Sequence, residues 1–287
     1  MRFADFLATR QGPVISFEVF PPKTEKAYEQ LLGALPRLIA IRPKLMTVTY
    51  GAMGSTQART LEIAALIRSK YAVETAAHLT CVGASRGEID QVLDRLTASG
   101  IENIVALRGD PPQGETRFSP PPGGFGHANE LVAHIRATGR FGIAVAGYPE
   151  KHVEAPDLPT DLRNLQRKVE AGADVVITQL FYDNEDFFRF EKSLRALDVK
   201  APIVPGLLPI QSFAQIRRIT SLCGAKIPPA LYAELELAGD DEAKIEEIGV
   251  RWTVDQCREL LARGVPGIHF YVLNRATHME KIFSRLG

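Results

Sequence analysis

The sequence predicts a (β/α)8 barrel of the TIM type. Eight short apolar runs alternate with longer amphipathic stretches along the chain. Continuous runs rich in β-branched residues are typical of parallel strands buried on both faces. A doubly wound open sheet is the competing architecture, but it usually carries a glycine-rich turn after its first strand, and the sequence contains no G-x-G-x-x-G. We therefore predict one barrel domain over residues 1–287, with an extra helical segment before the last strand and no regulatory domain.

Each predicted strand is followed by a helix, as a barrel requires. The predicted strands are Val14–Phe20, Leu45–Tyr50, Thr75–Cys81, Ile104–Gly109, Ile143–Tyr148, Val175–Phe181, Ile203–Leu208 and Gly267–Leu273. The predicted helices are Glu25–Ile39, Thr56–Lys70, Arg86–Ser99, Asn129–Thr138, Thr160–Ala171, Asp186–Leu197, Ser212–Leu222, the extra segment Pro229–Gly264, and Arg275–Leu286. The Pro- and Gly-rich stretch Asp110–Gly126 reads as a long loop at the end of strand four, where barrel enzymes place their sites.

Composition excludes several classes of partner. The 287 residues include 34 Lys and Arg and 34 Asp and Glu, so the net charge is zero, which argues against nucleic-acid or anionic membrane partners. Cys81, Cys223 and Cys257 form neither a zinc pair nor a disulfide framework, and the histidines show no metal-ligand spacing. With no apolar run of membrane-spanning length and no secretory signal, we expect a cytoplasmic protein without a metal.

Glu18 is the first candidate for chemistry, because it lies within the apolar strand Val14–Phe20. Desolvation there would raise the pKa of the carboxyl and let it hold a proton near neutral pH. The alternative is a structural carboxylate paired with a lysine or arginine of a neighbouring strand.

Further polar residues stand where other strands end. They are His78 after strand three, Arg108, Gly109 and Asp110 after strand four, Tyr148 and His152 after strand five, and Gln179 in strand six. Each also has a structural interpretation, such as a hydrogen-bonded core histidine or an Arg–Asp pair. Taken together, they predict a large, mostly apolar pocket that suits an extended organic cofactor with phosphates.

The helix after strand five adds positive charge beside this pocket. Asp161, Asn164 and Lys168 share one helical face, with Arg167 next to them. Arginine and lysine so near a barrel mouth could bind a phosphate, although a charged, solvated helix face is the alternative.

Taken in their order along the chain, the strand-end motifs resemble those of one known family. They are Ser16-Phe17-Glu18-Val19-Phe20-Pro21-Pro22, Thr49-Tyr50-Gly51-Ala52, His78-Leu79-Thr80-Cys81, Leu107-Arg108-Gly109-Asp110, Tyr148-Pro149-Glu150, Ile177-Thr178-Gln179, Val204-Pro205-Gly206 and Phe270-Tyr271-Val272-Leu273-Asn274-Arg275. Over essentially its whole length the chain resembles bacterial methylenetetrahydrofolate reductases. The resemblance implies a barrel that binds FAD without a Rossmann motif. It also implies ping-pong reduction of 5,10-methylenetetrahydrofolate to 5-methyltetrahydrofolate, in one-carbon metabolism and methionine supply, with NADH or NADPH as the usual donor.

The resemblance also assigns roles. Glu18 matches the general acid, and Asp110 matches a carboxylate that contacts the pterin near the flavin and acts electrostatically. Thr49, Gln179, Gln215 and Arg275 match substrate contacts, as does Asp110. The positions matching flavin contacts are Tyr50, Ala52, His78, Arg108, Gly109, Asp110, Ala128, Tyr148, His152, Ala155, Asp161, Asn164, Arg167 and Lys168.

Some positions depart from the family pattern and leave the electron donor open. Val19 follows the acid where phenylalanine is usual, and Ile219 stands where some members place a phenylalanine that packs on the nucleotide. These departures also allow an electron carrier other than NADH or NADPH. The sequence leaves a homo-oligomer as a separate alternative to a monomer. Two other classes compete: a phosphate-binding lyase or aldolase, which would need a Schiff-base lysine at a strand end, and a non-catalytic folate- or flavin-binding protein.

Overall fold

A computed structural model describes residues 1–9, 11–50, 57–111 and 118–287 of the protein. Parallel strands form a barrel with helices around it. The described strands are β1 (Val14–Val19), β2 (Leu45–Val48), β3 (Glu74–Thr80), β4 (Asn103–Leu107), β5 (Gly142–Gly147), β6 (Val175–Thr178), β7 (Ile203–Val204), β8 (Gly206–Leu207) and β9 (Gly267–Tyr271). The described helices are α1 (Phe3–Ala8), α2 (Glu25–Ala40), α3 (Gln57–Tyr71), α4 (Arg86–Ala98), α5 (Ala128–Ala137), α6 (Leu158–Glu170), α7 (Asn184–Ala196), α8 (Phe213–Cys223), α9 (Pro229–Ala238), α10 (Glu242–Ala262) and α11 (Thr277–Leu286). Among these helices, none has the length and apolar character needed to cross a membrane.

The barrel closes at a strand that is broken in two. The sheet order is β7-β6-β5-β4-β3-β2-β1-β9-β8, and only Pro205 separates its two end strands in sequence. Proline has no N–H to donate to a strand ladder. Its carbonyl still accepts a hydrogen bond from the His269 N–H at 2.9 Å, and the Gly206 N–H donates to Thr178 Oγ1 at 2.9 Å. The predicted barrel is confirmed, with its seventh strand split at the proline.

Gly206 leaves no room for a side chain at this closure. A Cβ atom there would lie 2.2 Å from the Thr178 carbonyl oxygen and 2.9 Å from the Tyr271 hydroxyl. We expect Gly206→Ala to lower the free energy of unfolding by about 3 kcal/mol, because overpacking against backbone cannot relax easily. Urea unfolding measures this loss. Gly33→Ala is the control, since nothing lies within 4 Å of a Cβ in that helical position. Equal stability of the two variants would contradict the close packing.

The amino-terminal end of the barrel is closed by α1, a helix that the sequence analysis did not predict. Phe3 packs inside the barrel with apolar side chains that include Leu45 and Val105. Asn103 is fully buried and accepts a hydrogen bond from the Phe3 N–H at 2.8 Å. Because this end is filled with apolar side chains, the polar groups of the interior collect at the carboxyl end.

The main core lies between the strands and the surrounding helices. Phe17 of β1 and Phe270 of β9 are fully buried and meet edge to face, with ring centroids 6.0 Å apart. Phe283 of α11 contacts both rings, with centroid distances of 5.9 and 5.7 Å. This aromatic cluster holds the outer faces of β1 and β9, whose inner faces carry polar side chains.

The extra helical segment predicted at Pro229–Gly264 is two helices rather than one. Gly239 follows α9 with a φ of 60°, a left-handed conformation that favours glycine. The Asp241 side chain then accepts a hydrogen bond from the Lys244 N–H at 3.1 Å and caps α10.

Candidate active site

A cavity of about 890 Å³ opens at the carboxyl end of the barrel. Most of the predicted site residues line it together. They are Glu18, Thr49, Tyr50, His78, Arg108, Gly109, Asp110, Ala128, Tyr148, His152, Ala155, Asp161, Asn164, Arg167, Lys168 and Gln179. Strand ends and one side of α6 therefore converge on one space, as the motif positions predict.

Three predicted residues stand apart from this set. Ala52 lies outside the described residues. Gln215 is in the first turn of α8, where its N–H donates to the capping Ser212 hydroxyl at 3.1 Å. Arg275 is exposed after β9. Within the described part of the chain, neither Gln215 nor Arg275 is among the side chains that line the cavity.

Glu18 is held at the cavity floor by side chains from three neighbouring strands. Its Oε2 accepts a hydrogen bond from Thr47 Oγ1 at 3.3 Å and lies 3.1 Å from Nε2 of His78 and 3.3 Å from Nε2 of His269. The other ring nitrogen of His269 lies 2.8 Å from the Ser16 hydroxyl. The carboxylate thus shares one hydrogen-bonded network with Thr47, His269 and Ser16, and the His78 ring lies within ion-pair distance of it.

This environment corrects the expected charge state of Glu18. Burial raises the pKa of the carboxyl, as the sequence suggests, but the imidazoles of His78 and then His269 outweigh burial, and the pKa is lowered well below its usual range. The structural alternative of a lysine or arginine partner is also wrong among the described contacts, because the side chains close to the carboxylate are those of Thr47, His78 and His269.

The Arg108 guanidinium is paired with a carboxylate that the sequence analysis did not predict as its partner. Its guanidinium forms a two-pronged ion pair with Glu154, and its Nε donates to the Gly109 carbonyl at 3.0 Å. Gly109 has a φ of 88°, and a Cβ there would lie 2.8 Å from Val82. The backbone between Arg108 and the exposed Asp110 can therefore take this path only with glycine.

The loop after β5 and helix α6 form the cationic end of the cavity. Asp161 accepts a hydrogen bond from the His152 N–H at 2.9 Å and so fixes the loop. The Lys168 ammonium donates to the Ala146 carbonyl at 2.6 Å, and burial lowers its pKa to about 8 although Asp161 opposes the shift. Arg167 donates to Asn164 Oδ1 at 3.1 Å. The predicted helix face is thus a cavity wall rather than only a solvated surface.

The Glu18 network includes residues that sequence reasoning passed over. Ser16 precedes Glu18 by two positions on the same face of β1, and the β1–β9 register pairs it with His269. Thr47 pairs with Glu18 across the β1–β2 ladder. Period-two alternation could have indicated Ser16, but contacts with Thr47 and His269 depend on which strands become neighbours.

Comparison with known proteins identifies the family of the chain that forms this cavity. The model of the methylenetetrahydrofolate reductase family matches residues 2–287. The chain belongs to the methylenetetrahydrofolate reductase family. The 5,10-methylenetetrahydrofolate reductase of Escherichia coli is 37% identical, over 98% of this chain and 93% of that protein. Methylenetetrahydrofolate reductase (NADH) 1 of Arabidopsis thaliana is 42% identical over 97% of this chain. The chain spans about half the length of such plant relatives.

Solved structures with low sequence identity share the methylenetetrahydrofolate reductase fold. A Clostridium thermocellum protein that binds two copies of 5-methyl-5,6,7,8-tetrahydrofolic acid matches with a TM-score of 0.65 at 18% identity, over 98% of this chain and 95% of that one. Dihydropteroate synthase from Xanthomonas albilineans matches with a TM-score of 0.53 at 14% identity, over 96% of this chain and 92% of that one. At these identities the likeness concerns the barrel alone.

Proposed function

We propose that the protein reduces 5,10-methylenetetrahydrofolate to 5-methyltetrahydrofolate, with bound FAD and with NADH, NADPH or another carrier as electron donor. The observation that carries this proposal is the Glu18 network at the floor of a large barrel-mouth cavity in a chain of this family. A carboxylate bridged to two imidazoles is suited to proton transfer, which this reaction needs. We extend to this chain the substrate named for the Escherichia coli relative.

The cavity fits a flavin dinucleotide in size and charge. Its volume of about 890 Å³ lies near the upper end of small-ligand pockets, roughly 300–1,000 Å³. Arg167 and Lys168 supply donors for phosphate oxygens at one end. Apolar side chains such as Ile177 and Leu180 line the walls. A bound flavin would supply hydride transfer, which no amino-acid side chain can perform. We propose that the matched positions that line the cavity form this site.

Glu18 has a defined task in this reaction. The product carries its methyl group on N5, so the bond between the methylene carbon and N10 must break. We propose that Glu18 relays a proton from the neighbouring imidazoles of His78 and His269 to N10, that the carbon–N10 bond opens, and that an iminium forms at N5 that can accept hydride. A ligand that fills the cavity removes water, which disfavours the charged carboxylate and helps it to take up the relayed proton.

The remaining predicted residues bind and orient the substrate in this proposal. Asp110 stands at the mouth, where its negative charge would favour a cationic iminium. Gln179 uses its side-chain oxygen to accept the Leu180 N–H at 2.9 Å, which leaves its amide N–H groups for a ligand. Thr49 lines the same cavity. We also propose Gln215 and Arg275 as substrate contacts, although neither side chain lines the cavity in this structure.

An absorbance scan of purified protein tests the cofactor first. We expect the bands of an oxidised flavin, bleaching on addition of NADH, NADPH or a ferredoxin-type donor, and recovery when methylenetetrahydrofolate is added. Comparing the three donors by stopped flow identifies the physiological class. Colourless protein that takes up no FAD and leaves the folate unchanged with every donor would refute the proposal.

Lys168 offers a test of the phosphate end that does not depend on activity. We expect Lys168→Ala to weaken FAD binding about 10- to 100-fold at pH 7, because it removes a charged hydrogen-bond donor. The pKa of the Lys168 ammonium is lowered to about 8. FAD affinity of the unaltered protein should therefore fall as the pH rises through about 8, when the ammonium loses its proton, and the variant should lack this dependence.

Titration calorimetry with FAD measures both effects. Arg163→Ala is the matched control, because Arg163 is exposed on the same helix and does not line the cavity. An unchanged dissociation constant for Lys168→Ala, or an unaltered pH dependence, would count against this role.

A further inference from the structure

Phe20 presents an aromatic ring at the mouth of the cavity. Its side chain is 40% exposed and lines the cavity together with Glu18. The residues around it are buried: Val19 is in the main core, and Pro21 and Pro22 are covered. A large apolar ring is thus left in the open while its chain neighbours are packed, so the exposure is specific to this one side chain.

The position of Phe20 is fixed from a second element of the barrel. The Phe20 N–H donates to Oδ1 of Asn274 at 2.9 Å, and Nδ2 of Asn274 donates to the Phe20 carbonyl at 2.8 Å. Asn274 and Leu273 have φ values of 59° and 49°, a left-handed conformation that is uncommon for leucine. Backbone strain of this kind often occurs at ligand sites. The clamp holds Phe20 before any ligand arrives.

Phe20 lies one step nearer the mouth than the Glu18 carboxylate. Alternate residues of a strand share a face and are separated by roughly 7 Å. The structure agrees, because Glu18 and Phe20 both line the cavity while Val19 packs into the core on the opposite face. A ligand that places its reacting atom at Glu18 and extends towards solvent on this side of the barrel therefore contacts the Phe20 ring.

Under the proposed function, the chemistry of the substrate identifies what passes there. The atom that receives the proton is N10, and N10 is bonded directly to the benzoyl ring of the folate. The charged glutamate on the far side of that ring favours solvent, so the ring lies between Glu18 and the mouth. We propose that Phe20 binds the benzoyl ring of the folate by aromatic contact and that Asn274 is its positioning residue. This inference rests on the proposed function.

A ligand without the benzoyl ring gives the sharpest test. The probes are 5-methyltetrahydrofolate and 6-methyltetrahydropterin, which keeps the reduced pterin and lacks the benzoylglutamate. Calorimetry on the FAD-loaded protein measures both dissociation constants. We expect Phe20→Leu to weaken binding of the folate about 2- to 13-fold, the range of an aromatic pair, and to leave binding of the pterin within twofold.

Further variants separate the contact from general damage. Phe20→Tyr keeps an aromatic ring and should keep the affinity for the folate, whereas Asn274→Ala should weaken it without affecting the pterin. Phe20→Met is a second non-aromatic variant if Phe20→Leu is unstable. An equal loss of affinity for both ligands, or no loss of affinity for either, would overturn the inference and leave the proposed function intact. Failure of the unaltered protein to bind any folate would remove the proposed function and this inference with it.

Discussion

Under the proposed function, we expect Glu18→Gln to lower the rate of methylenetetrahydrofolate reduction about 10²- to 10⁴-fold, the contribution of a positioned acid. Glutamine has nearly the same shape and can still hydrogen-bond to Thr47, but it has no proton to donate at neutral pH. The half-reaction in which an electron donor bleaches the bound flavin needs no proton from Glu18, so it should continue at a similar rate. Anaerobic stopped-flow absorbance measures the two half-reactions separately.

A second carboxylate controls for the loss of charge. Glu170 is exposed at the end of α6, and Glu170→Gln should leave both half-reactions unchanged. Equal retention of both half-reactions in Glu18→Gln would remove Glu18 as the acid. Equal loss of both would indicate damage to the flavin site instead.

Phe270→Ala should lower the free energy of unfolding by about 3–5 kcal/mol, the usual cost of deleting a fully buried phenylalanine. The side chain is 0% exposed and meets Phe17 and Phe283 edge to face. Because the aromatic cluster holds the outer face of β9, its loss should also loosen the strand that carries His269. Urea unfolding followed by far-ultraviolet circular dichroism measures the loss as a fall in the transition midpoint.

Leu237 is the matched control for this deletion. It lies on α9 with 91% of its surface exposed, so Leu237→Ala removes a large apolar side chain that is not buried. We expect a change within about 0.5 kcal/mol. A loss below about 1 kcal/mol for Phe270→Ala would show that the outer core does not depend on this cluster.

The barrel could be predicted because buried parallel strands leave a strong local signal. Runs such as Ile143–Tyr148 are apolar on both faces, and amphipathic stretches alternate with them. The break at Pro205 was missed because the residues on both sides are apolar and read as one strand. Helix α1 was missed because its six residues carry too little periodicity, and its burial depends on Asn103, about a hundred positions away.

The active site was predictable as a location but not as a set of interactions. Polar residues at strand ends predicted the cavity lining well, since all parallel strands of a barrel deliver their carboxyl ends to one face. The lowered pKa of Glu18 was not predictable, because it depends on the imidazoles of His78 and His269, which outweigh burial and come from other strands. Recognition of the family supplied roles for Gln215 and Arg275 that the described cavity lining does not reveal.

The pairing of Arg108 with Glu154 has a consequence for how a ligand enters. It cancels a positive charge near the strand-four end of the cavity, while Arg167 and Lys168 remain at the α6 end. The electrostatic potential is thus polarised along the cavity, with its attraction for anions concentrated at one side. We therefore expect a ligand that carries phosphate to bind with its phosphate groups towards α6, so that charge fixes its direction before specific contacts form.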